Sequence, residues 1–309
     1  MNASVAALIA TYRRPAELRR LLHSLALSGS SLTTVIVVDN DGSDEGRALV
    51  EAAFPGAQYV NPGANLGCGG GLRMAEEEAL RSGAGDFTHL LILDDDAVLV
   101  PDVLPRLLEA MEREEADLAC PLVVNERGLV GWLPGLPRGM RHANGLTPEE
   151  FRQRFGGQPH RFAWAQGICL LVSRRAIERC GLHRGDFWVR GEDLEFSLRL
   201  TAQGCGILVP AVTVQHRPPP ESTGVSREAE YWKHCALVQN NAYIGFRLSH
   251  GHRIAWTIAG TLRHFFGIWS WGAFGDAVRA LWRGAVLGEP AGARSGPTFR
   301  ARAAALRSS

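Results

Sequence analysis

Short apolar runs alternate along the first two thirds of the chain with stretches whose apolar residues recur at helical spacing. Val5 to Ala10 is an apolar run of strand length. Pro15 to Leu27 follows, with Leu18, Leu21, Leu22 and Leu25 on one helical face. Val35 to Val38 predicts a second strand, Gln58 to Val60 a short third and His89 to Leu93 a fourth, while Leu66 to Ser82 opens in glycine and turns helical. Leu118 to Val124, Ile168 to Val172 and Ile207 to Val209 predict further strands. This alternation implies an α/β fold with a mostly parallel sheet covered by helices. Gly128 to Pro159, rich in Gly and Pro, predicts a long loop of the kind that is functional or disordered.

In open α/β sheets ligands gather beyond the carboxyl ends of the strands, and the polar clusters of this chain fall there. The first strand ends in Thr11-Tyr12-Arg13-Arg14, the second in Asp39-Asn40-Asp41-Gly42-Ser43 and the fourth in Asp94-Asp95-Asp96. On an extended backbone Asp94 and Asp96 share a face and Asp95 takes the other. Crowded carboxylates repel one another and favour a cation. Oxygen ligands suit Mg²⁺ or Mn²⁺, and Mg²⁺ commonly adds substrate phosphates to one or two carboxylates. The triplet therefore predicts a nucleotide site, the alternative being a strand end that caps the helix expected from about Pro101.

Three further segments carry candidate chemistry. Asn65-Leu66-Gly67-Cys68-Gly69-Gly70-Gly71 enters a helix as a phosphate-cradling loop does, yet it lacks the P-loop lysine and a clean G-x-G-x-x-G. Nucleotide-sugar contact and tight packing both fit it. Phe187 to Arg199 places Glu192 and Asp193 in the first turn of a helix whose Leu194 and Leu198 form a buried face, with Phe196 and Leu200 beside it. The positive helix end favours ionised acids there, and an ionised carboxylate serves either as a general base or as a simple cap. His216, in Val214-Gln215-His216-Arg217, is either a metal ligand or a solvated loop histidine.

Composition narrows the picture in two places. The net charge of +1 makes no case for a nucleic-acid partner. From Phe246 to Ser309, however, nine arginines stand against Asp276 and Glu289, together with Trp256, Trp269, Trp271 and Trp282. That mixture fits peripheral contact with an anionic membrane, a homodimer interface or an ordinary helical subdomain. The six cysteines form no C-x-x-C pair and predict reduced, mostly buried thiols. Met1 to Ala10 is too short for a secretory signal, and Arg263 and His264 interrupt the apolar stretch from Ile254 to Phe274, so no spanning helix is expected. A cytoplasmic protein, at most peripheral on the inner membrane face, is the expectation.

In order and spacing these elements resemble the inverting family 2 glycosyltransferases of GT-A fold, most closely the branch of galactofuranosyl- and rhamnosyltransferases. The resemblance runs from about Val5 to His216, with a weaker continuation to about Leu287. It implies a GT-A, Rossmann-like catalytic domain over 1–220 and a helical segment over 221–309, with a flexible basic tail from about 289. It implies nucleotide-sugar contacts at Thr11, Arg13, Asp39, Asn65, Gly67, Asp94 and Asp95, although alternation turns Asp95 the other way. It further implies a metal, Mg²⁺ or Mn²⁺, held by Asp96 and His216, acceptor contacts at Glu192 and Trp188, and Asp193 as the base. The reaction implied is a single inverting displacement from a UDP- or dTDP-type sugar onto a hydroxyl of a glycan, a lipid-linked acceptor or a small natural product. Cys68 is a departure, because this branch usually carries glycine there, and it leaves the donor sugar open. From the residues alone, a sugar-phosphate nucleotidyltransferase and a non-catalytic nucleotide-sugar-binding protein are alternatives.

Overall fold

A computed structural model describes residues 3–27, 32–81, 87–140, 142–218, 227–248, 271–288 and 290. Its chain forms two units: Met1–Asn65, Gly71–His183 and Phe196–Pro219 make the first, and Leu66–Gly70, Arg184–Glu195 and Pro220–Ser309 the second. Where the sequence suggests one boundary near 220, the glycine segment and the acid-bearing turn group instead with the C-terminal residues.

The first unit holds the sheet. Its strands are β1 (Val5–Thr11), β2 (Leu32–Asp39), β3 (Gln58–Val60), β4 (His89–Asp94), β5 (Ala97–Leu99), β6 (Leu118–Val124), β7 (His160–Phe162), β8 (Cys169–Ser173) and β9 (Gly206–His216). They lie in the order β3-β2-β1-β4-β8-β6-β9-β5, with β7 also paired to β9. Val5 to Ile9 are buried without interruption, as expected for a central strand covered on both faces. The parallel expectation holds for β3-β2-β1-β4 and for β6-β9. In contrast, β8 runs antiparallel to β4 and β6, and β5 and β7 run antiparallel to β9. The departure has a simple cause at β5. Only Asp95 and Asp96 separate it from β4, too few for the crossover that a parallel neighbour requires, so the chain pairs elsewhere.

Helices α1 (Pro15–Leu25), α2 (Asp44–Ala53) and α4 (Val103–Arg113) contribute apolar faces to this core, and α3 spans Gly67–Arg81 and α6 Arg174–Cys180. α1 starts with Pro at its first turn and buries Leu18, Leu21, Leu22 and Leu25, each worth about 1.5–3 kcal/mol relative to exposure. Its buried Ser24 accepts a hydrogen bond from the Leu99 N–H at 3.1 Å, tying β5 to α1. Strand β9 runs well past the expected Val209. A register shift opposite Pro121 and Leu122 accommodates Pro210, which has no N–H to donate, and pairing resumes at Thr213 and continues to His216.

The long loop expected over 128–159 contains a 3₁₀ turn, Arg138–Met140, and a helix α5, Pro148–Phe155. Thr147 and Glu150 form a capping box before Pro148, and Phe151 is fully buried. The T-x-x-E signal with Pro at the first helical position was present in the sequence and was masked by the surrounding glycines and prolines.

Beyond residue 226 the described elements of the second unit are helices: α8 (Arg227–Arg247), then a helix Trp271–Trp282 that passes into a π-turn over Arg283–Leu287. Gly284 allows close packing on α8, since a Cβ there would lie 2.0 Å from the Gln239 carbonyl. Asn240 of α8 donates to the carbonyls of Val189 and Arg190 at 3.2 and 2.7 Å, pinning the turn before Glu192. Trp256, Trp269 and the stretch 254–270 lie outside the described residues, as does the tail from about 289 except Pro290. Among the described residues no helix is long and apolar enough to cross a membrane.

Candidate active site

The ends of β1, β2 and β4 converge in the first unit. Ala10 pairs with Asp94 across β1–β4, and Thr11 pairs with Asp39 across β1–β2. Two residues after β4 the chain enters β5, whose antiparallel register with β9 sets Ala97 opposite His216. The Arg217 N–H donates to the Asp96 carbonyl at 2.9 Å and fixes this junction. As a result one ligand atom from each of Asp94, Asp96 and His216 lies within 4.8 Å of the others.

The donor set fits a divalent cation. Oδ1 of Asp96 and Nε2 of His216 are 2.9 Å apart, yet the buried Asp96 Oδ1 makes no hydrogen bond of good geometry, and the buried Nδ1 of His216 also has no partner. Two cis ligands of an octahedral ion at about 2.1 Å stand about 3 Å apart, which matches that separation. Two carboxylates with one imidazole suit Mn²⁺ better than the all-oxygen preference of Mg²⁺. Burial opposes the charged form of Asp96, but His216 and Arg14 outweigh it and hold the carboxyl below its ordinary value. Burial likewise opposes a charge on His216, and Asp96, with Asp94 behind it, raises the imidazole above its ordinary value.

Asp95, in the two-residue turn between β4 and β5, is buried and lies outside this ligand group. Its Oδ2 accepts from the Thr11 hydroxyl at 2.8 Å, and its Oδ1 from Arg14 at 3.0 Å. Burial pushes this carboxyl up to about 6, against Arg14 and with the Asp96 charge adding to the rise. Thr11 and Asp95, both expected at the nucleotide sugar, are thus bonded to each other. Asp39 is also buried and organises its own turn, accepting from the N–H groups of Asp41 and Ser43 and from the Tyr59 hydroxyl. Arg13 is exposed in a left-handed conformation (φ 56°), pairs with Asp41 at 2.8 Å and covers the Tyr12 ring. Asn65 is half-buried.

The second unit carries the acid-bearing turn. Helix α7 (Glu192–Thr201) starts with Glu192 and Asp193, and the half-buried Asp193 accepts from the Leu194 N–H at 2.7 Å. Glu192 Oε2 is buried without a hydrogen-bond partner. Burial pushes the Glu192 carboxyl up to about 7, the Asp193 charge adding to the rise, so burial overrides the helix end expected to keep it ionised. Leu194 is only half-buried, and Phe196, Leu198 and Leu200 carry the apolar packing of the helix.

The glycine segment lies against this turn. A Cβ on Gly67 would sit 2.0 Å from the Trp188 carbonyl, and one on Gly69 2.0 Å from that of Phe187. Close packing therefore requires glycine at 67 and 69, and the Trp188 ring lies over Gly67.

The glycosyl transferase family 2 model matches residues 6–179. The chain belongs to this family. Among its relatives, this family 2 transferase is 28% identical over 276 residues to the N-acetylglucosaminyl-diphospho-decaprenol L-rhamnosyltransferase of Mycobacterium tuberculosis, covering 82% of the chain and 88% of the relative. It is 30% identical over 209 residues to galactofuranosyltransferase GlfT1 of the same organism, covering 66% of each. In fold the transferase is similar to residues 1–349 of Staphylococcus aureus TarS solved with UDP, with a TM-score of 0.55 at 15% identity over 90% of this chain and 81% of that one. It is also similar to GalNAc-T7 solved with UDP, GalNAc and Mn²⁺, with a TM-score of 0.53 at 15% identity over 77% and 51%. These neighbours are GT-A glycosyltransferases, and the transferase shares that fold.

Two further residues touch the cluster of Asp94, Asp96 and His216 and carry no sequence signal of their own. Arg14 reaches Asp95 and Asp96 from one Nη1, each at 3.0 Å. It stood in the polar end of β1, where Arg13 looked equivalent. Trp132, from the Gly-Pro-rich segment and in a left-handed conformation (φ 46°), meets His216 edge-on at 4.5 Å. No local pattern around it announced this contact.

Proposed function

We propose that this chain is a metal-dependent inverting glycosyltransferase that moves a sugar from a UDP- or dTDP-type nucleotide sugar to a hydroxyl of a lipid-linked acceptor. The observation that carries this reading is the cluster of Asp94, Asp96 and His216. Asp96 and His216, with Asp94, would hold the cation, Mn²⁺ or Mg²⁺, and the ion would supply charge neutralisation at the departing diphosphate. Arg14 keeps the Asp95–Asp96 pair compatible with that charge. Thr11, Arg13, Asp39, Asn65, Gly67, Asp94 and Asp95 are the proposed contacts of the nucleotide sugar.

Asp193 is the proposed base. Its carboxylate takes the proton of the acceptor hydroxyl as that oxygen bonds to the anomeric carbon, while the bond from that carbon to the diphosphate oxygen breaks on the opposite face. Inversion follows from the single displacement. Glu192 and Trp188 serve the acceptor.

A lipid-linked acceptor is supported by the decaprenyl-linked substrate named for the rhamnosyltransferase relative. It is also supported by exposed Phe274, Val278, Trp282 and Val286, four residues apart in a segment with an arginine excess. Peripheral binding at the inner membrane face follows from this reading, and failure to sediment with anionic vesicles at low salt would count against it.

The deciding experiment is a panel of nucleotide sugars with Mn²⁺ or Mg²⁺, comparing wild type with Asp193→Asn. The variant should keep nucleotide binding and lose transfer by roughly 10²–10⁴-fold. Undiminished transfer by D193N rules out the assigned base.

A further inference from the structure

We propose that Cys68 is a positioning residue for Glu192, its thiol holding the Glu192 carboxylate in the orientation from which that residue meets the acceptor. The proposal rests on the reading above in taking Glu192 to serve the acceptor.

Three observations within the second unit carry it. The backbone at residue 68 is fixed, because its N–H donates to the Trp188 carbonyl at 2.9 Å and the flanking Gly67 and Gly69 are pressed against the carbonyls of Trp188 and Phe187. Gly69 also brings the loop onto Glu192, since a Cβ at 69 would lie 3.2 Å from the Glu192 Cβ. From that fixed point the Cys68 thiol neighbours the Glu192 carboxylate, where it favours the charged form. The third observation is the buried Glu192 Oε2, which has no hydrogen-bond partner. With the thiol engaged on the carboxylate, Oε2 is available to a ligand hydroxyl. Within Gly67 to Gly71, Cys68 is the only residue with a side chain.

The thiol also acts on the proton. A donor to the carboxylate favours its ionised form, opposing the burial and the Asp193 charge that raise Glu192. The other groups around Glu192 are Arg190, which also favours ionisation, and Glu195 one turn along α7. Helix α8 presents the uncharged Asn240 and Ile244 to the turn at Gly191. Glycine at 68 would remove the donor, and a hydroxyl would retain it.

The test has two arms. In the first, iodoacetamide labelling of Cys68 is mapped by peptide mass spectrometry in wild type and Glu192→Gln, with the half-buried Cys180 and Cys205 as internal controls. Loss of the charged partner should speed labelling of Cys68 several-fold while the controls stay unchanged. Equal Cys68 rates overturn the proposal whatever the transfer activity.

In the second arm the pH profile of transfer is compared for wild type, Cys68→Gly and Cys68→Ser. The glycine variant should move its acidic limb to higher pH, lowering activity at pH 6 relative to pH 8 by at least about twofold, and serine should restore the wild-type profile. Superimposable profiles for all three also overturn it. If instead D193N keeps full transfer, the functional reading fails, and the labelling arm still judges the contact between Cys68 and Glu192.

Discussion

Nε2 of His216 lies 2.9 Å from Oδ1 of Asp96, at the point where β5 and β9 pair in antiparallel register. His216→Ala should therefore weaken Mn²⁺ binding by at least about tenfold, the scale seen when even an outer-shell partner of a metal ligand is lost. Asp96→Asn should do the same. Mn²⁺ titration followed by EPR checks both, and unchanged affinity in either variant would remove that residue from the ligand set.

Arg14 serves two acids from a single nitrogen. Arg14→Met leaves the Asp95 and Asp96 carboxylates without their shared cation, and should cost about 1–3 kcal/mol in urea unfolding with EDTA present. Added Mn²⁺ should recover part of the loss, since the ion supplies positive charge to the same acids. A variant as stable as wild type in EDTA would show that Arg14 is not a brace.

Gly69 has no room for a methyl group against the Phe187 carbonyl, whereas nothing lies within 4 Å of a Cβ built on Gly131. Gly69→Ala should lower stability by about 1–3 kcal/mol, the usual cost of overpacking, while Gly131→Ala serves as a near-neutral control. Thermal unfolding of the pair separates crowding at residue 69 from a general cost of replacing glycine.

His89, at the start of β4, has its pKa lowered to about 4, by burial first and by the charge of Arg175 second. The unfolded chain then binds more protons than the folded one between the ordinary value of 6.5 and about 4. The His89 contribution to stability is present above pH 6.5 and is lost as pH falls through that window. His89→Gln should flatten the acid side of the stability curve. Parallel slopes for variant and wild type between pH 6.5 and 4 would contradict it.

Much of the sheet was legible in the sequence, because it depends on local regularities. Apolar runs of strand length located β1, β2, β3, β4 and β6, and leucines at helical spacing set the buried face of α1. Strand alternation predicts a separate place for Asp95, whereas Asp95 and Asp96 in fact form the turn after β4, where Asp95 binds Thr11. α5 was missed although its capping box is local, because glycine and proline around it dominated the reading.

Tertiary structure decided what depends on partners distant in the chain. Strand pairing is not encoded in the composition of either strand, so the antiparallel β5–β9 ladder that carries His216 to Asp96 could only be seen folded. The same holds for Trp132 against His216 and for Arg14 shared by two acids. The packed fold also bears on protonation. A helix start favours an ionised acid, but burial is a property of the packed fold, and at Glu192 burial prevails.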